Sequence, residues 1–291
     1  MEAFMPARET GEHTDSDEPW RDAGLPAGEL VVCEGRSLVE AAAGFGARLL
    51  WLGVQQGRHG DLAGALEERA AAAGWPPPVT EVLTRDAMGR RAGYAFHRGV
   101  LGVFARPVTP SIGSWSGSLE DDERPQLLML CPKVADPGNL GALVRASAAL
   151  GADGVVLGGG VSPWNRKAVR ASAGAMFALP VFRPGADRLE LELEHLRQRD
   201  GWRFSGLHGG AGEDVADLGG WRPGRREVLV VGEEGEGLGP WRGWCRQLLA
   251  IPMERGIESL NLAVAAGIAM AWWRHVAHRP EDRLKAQTGV R

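Results

Sequence analysis

At 291 residues, with 44% apolar and 24% charged residues, the chain is long enough for two domains with real cores and has an ordinary globular composition. Its formal charge of −4 does not suggest a nucleic-acid binder, but residues 1–25 hold seven acids against two arginines, a net −5, so the rest of the chain is near +1 and RNA is not excluded. Cys33, Cys131 and Cys245 lie far apart with no CxxC pair, which argues against a zinc site or a disulfide framework, and no metal is expected.

In chain order, residues 1–25 are acidic and polar and read as a disordered tail with no signal peptide. Residues 26–107 read as a small α/β unit. It has strands at 30–33, 48–54, 79–83 and 100–105, a helix opened by Ser37 with Glu40 as capping-box partner, and a second helix at 61–73. Residues 108–125, rich in Ser, Gly and Pro and carrying the acidic run 120–123, read as a linker. From 126 to 278 strands and helices alternate. Strands are expected at 127–131, 154–157, 179–182, 202–206, 227–231 and 248–251. Helices are expected at 140–150, 166–176, 188–199 and 259–277. That alternation predicts an α/β domain with a mainly parallel sheet and helices on both faces, followed by a tail at 279–291. The longest apolar stretch, Leu262–Trp273, is 12 residues, against the ~20 that span a bilayer. A cytoplasmic protein without membrane association is expected.

Three blocks in this domain each follow an apolar strand and place Gly, Asn, Arg or Glu at its end, where ligands bind in open α/β sheets. The first runs from Asn139 to Arg145, with Asn139 read as a helix N-cap and Arg145 nearly two turns on. The second is Val231-Gly-Glu-Glu-Gly-Glu-Gly-Leu238. It also fits the glycine loop of a Rossmann-type methyltransferase, whose glycines let backbone approach a nucleotide-like ligand. Position argues against that reading, because such a loop opens a Rossmann domain and only about 50 residues follow here. The third runs from Ile251 to Leu262. Ser259 is a plausible N-cap for the long Ala-rich helix, and Asn261, inside its first turn, is hard to explain by packing. The helix is apolar nearly all round, as expected if it is buried or packs on a second copy.

NxxxxxR, (V/L)GxEGxGL and IPMxxxxESLN(L/V)xVAAGI, in this order, resemble the signature motifs of the SpoU (TrmH) family of RNA 2′-O-ribose methyltransferases. The segment 166–180, containing RASAGAMFALP, resembles the stretch between the first two motifs. The resemblance is close over about 125–277. Residues 28–106, through Glu34-Gly-Arg36 and the run from Arg98 to Val103, resemble more loosely the ribosomal-protein-like substrate-binding domain that many members carry.

The resemblance implies a deep trefoil knot of the SPOUT type holding S-adenosyl-L-methionine, lined by Gly232, Ile251 and Leu260 with Met253 nearby. It implies Arg145 as the residue at the ribose 2′-hydroxyl, with Asn139, Glu234 and Asn261 orienting it and Ser259 able to do the same. It also implies a homodimer, to which the helix at 259–277 would contribute. Arg90, Arg91 and Arg98 are candidates for RNA phosphate contact. The substrate class expected is structured RNA, 23S rRNA before tRNA. Three alternatives stay open: a tRNA 2′-O-methyltransferase, a relative that binds RNA without methylating it, and a Rossmann enzyme acting on a small molecule.

Overall fold

The computed structural model describes residues 30–94, 98–119, 124–210, 214–233 and 237–277, and the chain divides into two units. The expected tails, the acidic run 120–123 and Glu234 lie outside the described residues.

The first unit spans the chain up to Arg36 and Arg48–Arg106. Its sheet holds β1 (Leu30–Glu34), β2 (Leu49–Gln55), β3 (Val79–Leu83) and β4 (Val100–Ala105) in the order β1-β4-β2-β3. β4 is antiparallel to both neighbours, and β3 is parallel to β2. Helix α1 (Arg36–Gly44) starts one residue before the expected cap Ser37, and α2 (Leu62–Ala72) lies within the predicted span. Residues Ser37–Ala47 group with the second unit, although the sequence placed them in the first. The cause is packing: Ala41 sits so close to Gly174 that a Cβ there would lie 2.8 Å from the Ala41 Cβ. Helix α3 (Arg85–Ala92), capped by Thr84 and ended by left-handed Gly93, was not expected. Its mean composition is polar, and only Met88 and Ala92 reach the core.

The second unit is a seven-stranded, fully parallel sheet. Its strands are β5 (Gln126–Cys131), β6 (Gly154–Leu157), β7 (Val181–Phe182), β8 (Arg203–His208), β9 (Val215–Asp217), β10 (Arg226–Val231) and β11 (Gln247–Ala250). The order is β7-β6-β5-β10-β8-β11-β9. The last two strands therefore enter between strands laid down earlier, β10 between β5 and β8, β11 between β8 and β9. Successive residues of β5 face opposite layers, as burial on both faces requires. Leu127, Met129 and Cys131 join one core with α5 (Pro137–Leu150) and α8 (Leu262–Ala277). Leu128 and Leu130 join another with α4 (Ile112–Ser118) and α7 (Ala186–Arg199).

Helix α4 lies in the expected linker. Ser111 caps it, accepting from the Ser114 N–H at 3.2 Å, and Ile112 and Trp115, one turn apart, are buried. The Trp115 ring stands 5.1 Å from that of Phe182, and Trp202 Nε1 donates to Ser116 Oγ at 3.1 Å. Composition suggested a flexible tether, but one tryptophan anchors it. The helix expected over 166–176 stops as α6 (Arg166–Ala171), because Ala173 and Gly174 take φ of 50° and 90°.

Glu227 is buried at the start of β10. Its Oε1 accepts from Ser205 Oγ at 2.5 Å, its Oε2 accepts from the Gly224 N–H at 2.7 Å, and Ser205 Oγ accepts from Trp221 Nε1 at 3.2 Å. Burial pushes its pKa up to about 7 from 4.5, outweighing these hydrogen bonds. The folded state thus holds a proton that the unfolded chain releases above 4.5. Stability is full below that pH and is lost as pH rises through about 7. Glu227→Gln is expected to melt several degrees above the parent at pH 8 and close to it at pH 5. Thermal melts at the two pH values check this; an equal difference at both would contradict it.

Candidate active site

Asp136 opens α5. Its side chain accepts from the Asn139 N–H at 2.7 Å, and Pro137 stands in the first turn, where its missing donor costs nothing. Asp136 is therefore the N-cap, not Asn139, and the Asn139 side chain serves another purpose. Its Oδ1 accepts from Asn261 Nδ2 at 2.8 Å. Asn261 Oδ1 in turn accepts from the N–H groups of Ala263 at 3.0 Å and Val264 at 3.3 Å. Asn261 is thus the N-cap of α8, which starts at Leu262. Ser259, the expected cap, lies outside the helix. Two backbone donors fix the Asn261 oxygen, so its amide nitrogen must face Asn139.

This bond ties the first block to the third across 122 residues. Asn261→Ala is expected to lower stability by about 1 kcal/mol through loss of the cap. Asn261→Asp, which keeps the acceptor, is expected to recover most of that. Thermal melts of the pair decide it, and equal melting of the two variants would count against the cap.

Arg145 lies on α5 six residues beyond Asn139. Its side chain is exposed and makes no hydrogen bond or ion pair with the described residues. Gly141, between them, has a packing reason that the sequence did not reveal: a Cβ there would fall on the Ala168 carbonyl oxygen and 2.5 Å from the Ala171 Cβ, so only glycine lets α6 approach α5.

After β10, Glu233 and Gly237 of the second block pair with each other. Glu233 N–H donates to the Gly237 carbonyl, and Gly237 N–H donates to the Glu233 carbonyl, both at 3.1 Å. Gly232 sits so close beneath that a Cβ there would fall on the Gly237 carbonyl group and 2.7 Å from the Leu238 nitrogen. Lys133 Nζ, just past β5, reaches Glu233 Oε2 at 3.1 Å.

A cavity of about 610 Å³ opens beyond the C-terminal ends of β8, β10 and β11. This is where an open parallel sheet presents ligands, and the size suits a small organic molecule. Gly232, Ile251, Met253, Leu260 and Ser259 all line it. Asn139, Asn261 and Arg145 do not, although Asn261 stands two residues from the lining residue Ser259. His208, Glu233, Arg242 and Glu258 add polar groups to the wall. Of these, His208 and Arg242 went unnoticed in sequence, because neither falls in a motif. Gly237 and Gly239 also line the cavity with φ of 60° and 50°, and a Cβ at either would meet nothing within 4 Å.

The three arginines proposed for phosphate contact differ. Arg90 is exposed at the end of α3. Arg91 is engaged in its own unit: Nη2 lies 3.3 Å from Glu81 Oε1, which also accepts from Trp51 Nε1 at 2.9 Å, and the guanidinium lies 5.8 Å from the Trp51 ring centroid. Arg98 is exposed beside Gly35.

The family model of the SpoU rRNA Methylase family matches residues 126–271. A protein of Mycobacterium avium, described as an uncharacterized tRNA/rRNA methyltransferase, is 37% identical over 203 residues, covering 66% of this chain and 60% of its own length. A Mycobacterium marinum protein of the same description is 40% identical over 157 residues, covering 52% and 47%. The match thus spans about 60% of the curated relative's length. Among solved structures, an AdoMet-bound rRNA methyltransferase from Sinorhizobium meliloti shares the fold with a TM-score of 0.69 at 24% identity, covering 89% of this chain and 90% of that one. The SpoU methyltransferase AviRb from Streptomyces viridochromogenes, in complex with AdoMet, also has a TM-score of 0.69, at 20% identity, covering 92% and 98%. The parallel sheet, the cavity at its strand ends and the match over residues 126–271 agree, and the chain belongs to the SpoU rRNA methylase family.

Proposed function

We propose that this chain methylates a ribose 2′-hydroxyl of structured RNA, 23S rRNA in particular, using S-adenosyl-L-methionine. One observation carries the reading: the Asn139–Asn261 hydrogen bond joins the helix bearing Arg145 to the block whose residues line the cavity. Cofactor chemistry and hydroxyl chemistry thereby meet at one place.

The cavity fits the cofactor in size, and its glycine wall at 237 and 239 leaves space where side chains would project. Bound there, S-adenosyl-L-methionine supplies an electrophilic methyl on a sulfonium that leaves as a neutral thioether. The residues have to position and desolvate the incoming hydroxyl. Arg145 orients the 2′-hydroxyl as a fixed cation with planar donors, beside an RNA phosphate. Asn139 and Asn261 hold the two helix starts together, and Glu234 completes the polar set. Ser259 lies on the cavity wall. Methyl transfer from a cofactor held there would leave the hydroxyl proton to be taken up by solvent.

Arg90 and Arg98 contact RNA phosphate, and Arg91 is left to brace Glu81. The domain is a deep trefoil knot, a reading supported by the entry of β10 and β11 between earlier strands. The enzyme works as a cytoplasmic homodimer. Val264 and Ile268, one turn apart on α8, are 50% and 39% exposed and lie on a stripe that continues to Trp272, which fits burial against a second copy. Mapping 2′-O-methyl positions in total RNA from cells with and without the gene tests the reading. One rRNA position should depend on the gene. Dependence of a tRNA position instead would select the tRNA alternative, and no dependent position would overturn the proposal.

A further inference from the structure

We infer that Arg242 reads the α-carboxylate of the cofactor's methionine end, so that the cavity selects S-adenosylmethionine over the same molecule lacking that carboxylate. The inference rests on the cofactor reading above.

Among the described residues, the charged side chains on the cavity wall are Glu233, Glu258 and Arg242. His208 also lines it, but its Nδ1 lies 3.4 Å from the Gly210 carbonyl oxygen. A carbonyl only accepts, so Nδ1 is the donor in this contact. Among the described residues the wall thus offers the carboxylates of Glu233 and Glu258 and the Arg242 guanidinium. S-adenosylmethionine carries two cations, the sulfonium and the ammonium, and one carboxylate. The Arg242 guanidinium is opposite in sign to the ligand carboxylate, and Glu258 to the ligand cations. Glu233 already holds Lys133, and Arg242 is the guanidinium among the described lining residues that suits a ligand carboxylate. A guanidinium can grip a carboxylate with two parallel hydrogen bonds.

The backbone under Arg242 is anchored, although its side chain is exposed. It sits in a 3-10 turn, Gly239–Trp244, whose Trp241 and Trp244 rings meet at a tilt of 41° with centroids 5.5 Å apart. Trp244 packs 5.7 Å from Phe204, and the Arg197 guanidinium lies 5.1 Å from the Trp244 ring. The Arg242 side chain makes no hydrogen bond or salt bridge with the described residues, so its donors are available to a ligand. The position falls between the second and third blocks, outside every motif, so the contact belongs to this chain's own wall.

Calorimetric titration of the full chain with S-adenosylmethionine and with decarboxylated S-adenosylmethionine tests this. The parent is expected to bind the first about tenfold tighter. Arg242→Gln is expected to lose that preference while binding the decarboxylated molecule as the parent does, and Arg242→Lys to recover part of it. Equal binding of both molecules by the parent, or a preference retained in Arg242→Gln, would overturn the inference while leaving the cofactor reading intact. An equal loss for both molecules would overturn it too, since the variant would then have disturbed the turn. If S-adenosylmethionine does not bind the parent at all, the cofactor reading fails first.

Discussion

Arg145→Ala is expected to cut methyl transfer by about 10²-fold or more while leaving S-adenosylmethionine affinity within about twofold. The separation follows from position. Arg145 projects from α5 and is absent from the cavity wall, whereas the wall is built from the second and third blocks. On the function proposed, removing the guanidinium takes away a group that acts on the hydroxyl and none that holds the cofactor. The helix should survive, because the side chain is exposed and alanine is the best helix former. Single-turnover rates with saturating cofactor, beside a calorimetric titration, would show the split. A variant that methylates at the parental rate removes Arg145 from the chemistry, and one that loses cofactor binding places it in the cavity instead.

Gly232→Ala is expected to produce the opposite pattern. The added methyl would run into backbone, the Gly237 carbonyl and the Leu238 nitrogen, and backbone cannot rotate away as a side chain can. The chain must open the paired Glu233–Gly237 hydrogen bonds to admit it. Overpacking of this kind costs about 1–3 kcal/mol. The displaced residues Glu233, Gly237 and Leu238 all line the cavity, so S-adenosylmethionine affinity should fall about tenfold or more. Melting temperature and titration together check this. Parental affinity in a folded Gly232→Ala variant would show that the loop does not shape the cofactor site.

The contents of the site were legible in sequence more than their arrangement. Gly232, Ile251, Met253 and Leu260 share one cavity wall, as the motif order implied. Asn261 looked anomalous inside a helix, and the anomaly arose from a misplaced helix start: it is the cap, and its other end reaches Asn139. A serine two positions earlier could not be told from the true cap by local pattern, since Ser259 and Asn261 both qualify. The insertion of β10 and β11 was not legible at all. Parallel strands buried on both faces read alike wherever they sit in a sheet, so their order is set by packing between distant segments. Helix α4 was missed because Ser, Gly and Pro outvoted one tryptophan. The pairing of Arg91 on α3 was not legible either, because its partner, Glu81, is ten residues away on β3.

The most direct measurement is transfer of a labelled methyl group from S-adenosylmethionine to rRNA by the purified chain, followed by alkaline hydrolysis. A 2′-O-methyl group blocks cleavage of the adjoining phosphodiester, because that cleavage needs the free hydroxyl. The label is expected in alkali-resistant dinucleotides, and to be absent when Arg145 is replaced by alanine. Label recovered in mononucleotides would mean methylation of a base and would contradict the assignment of the ribose hydroxyl.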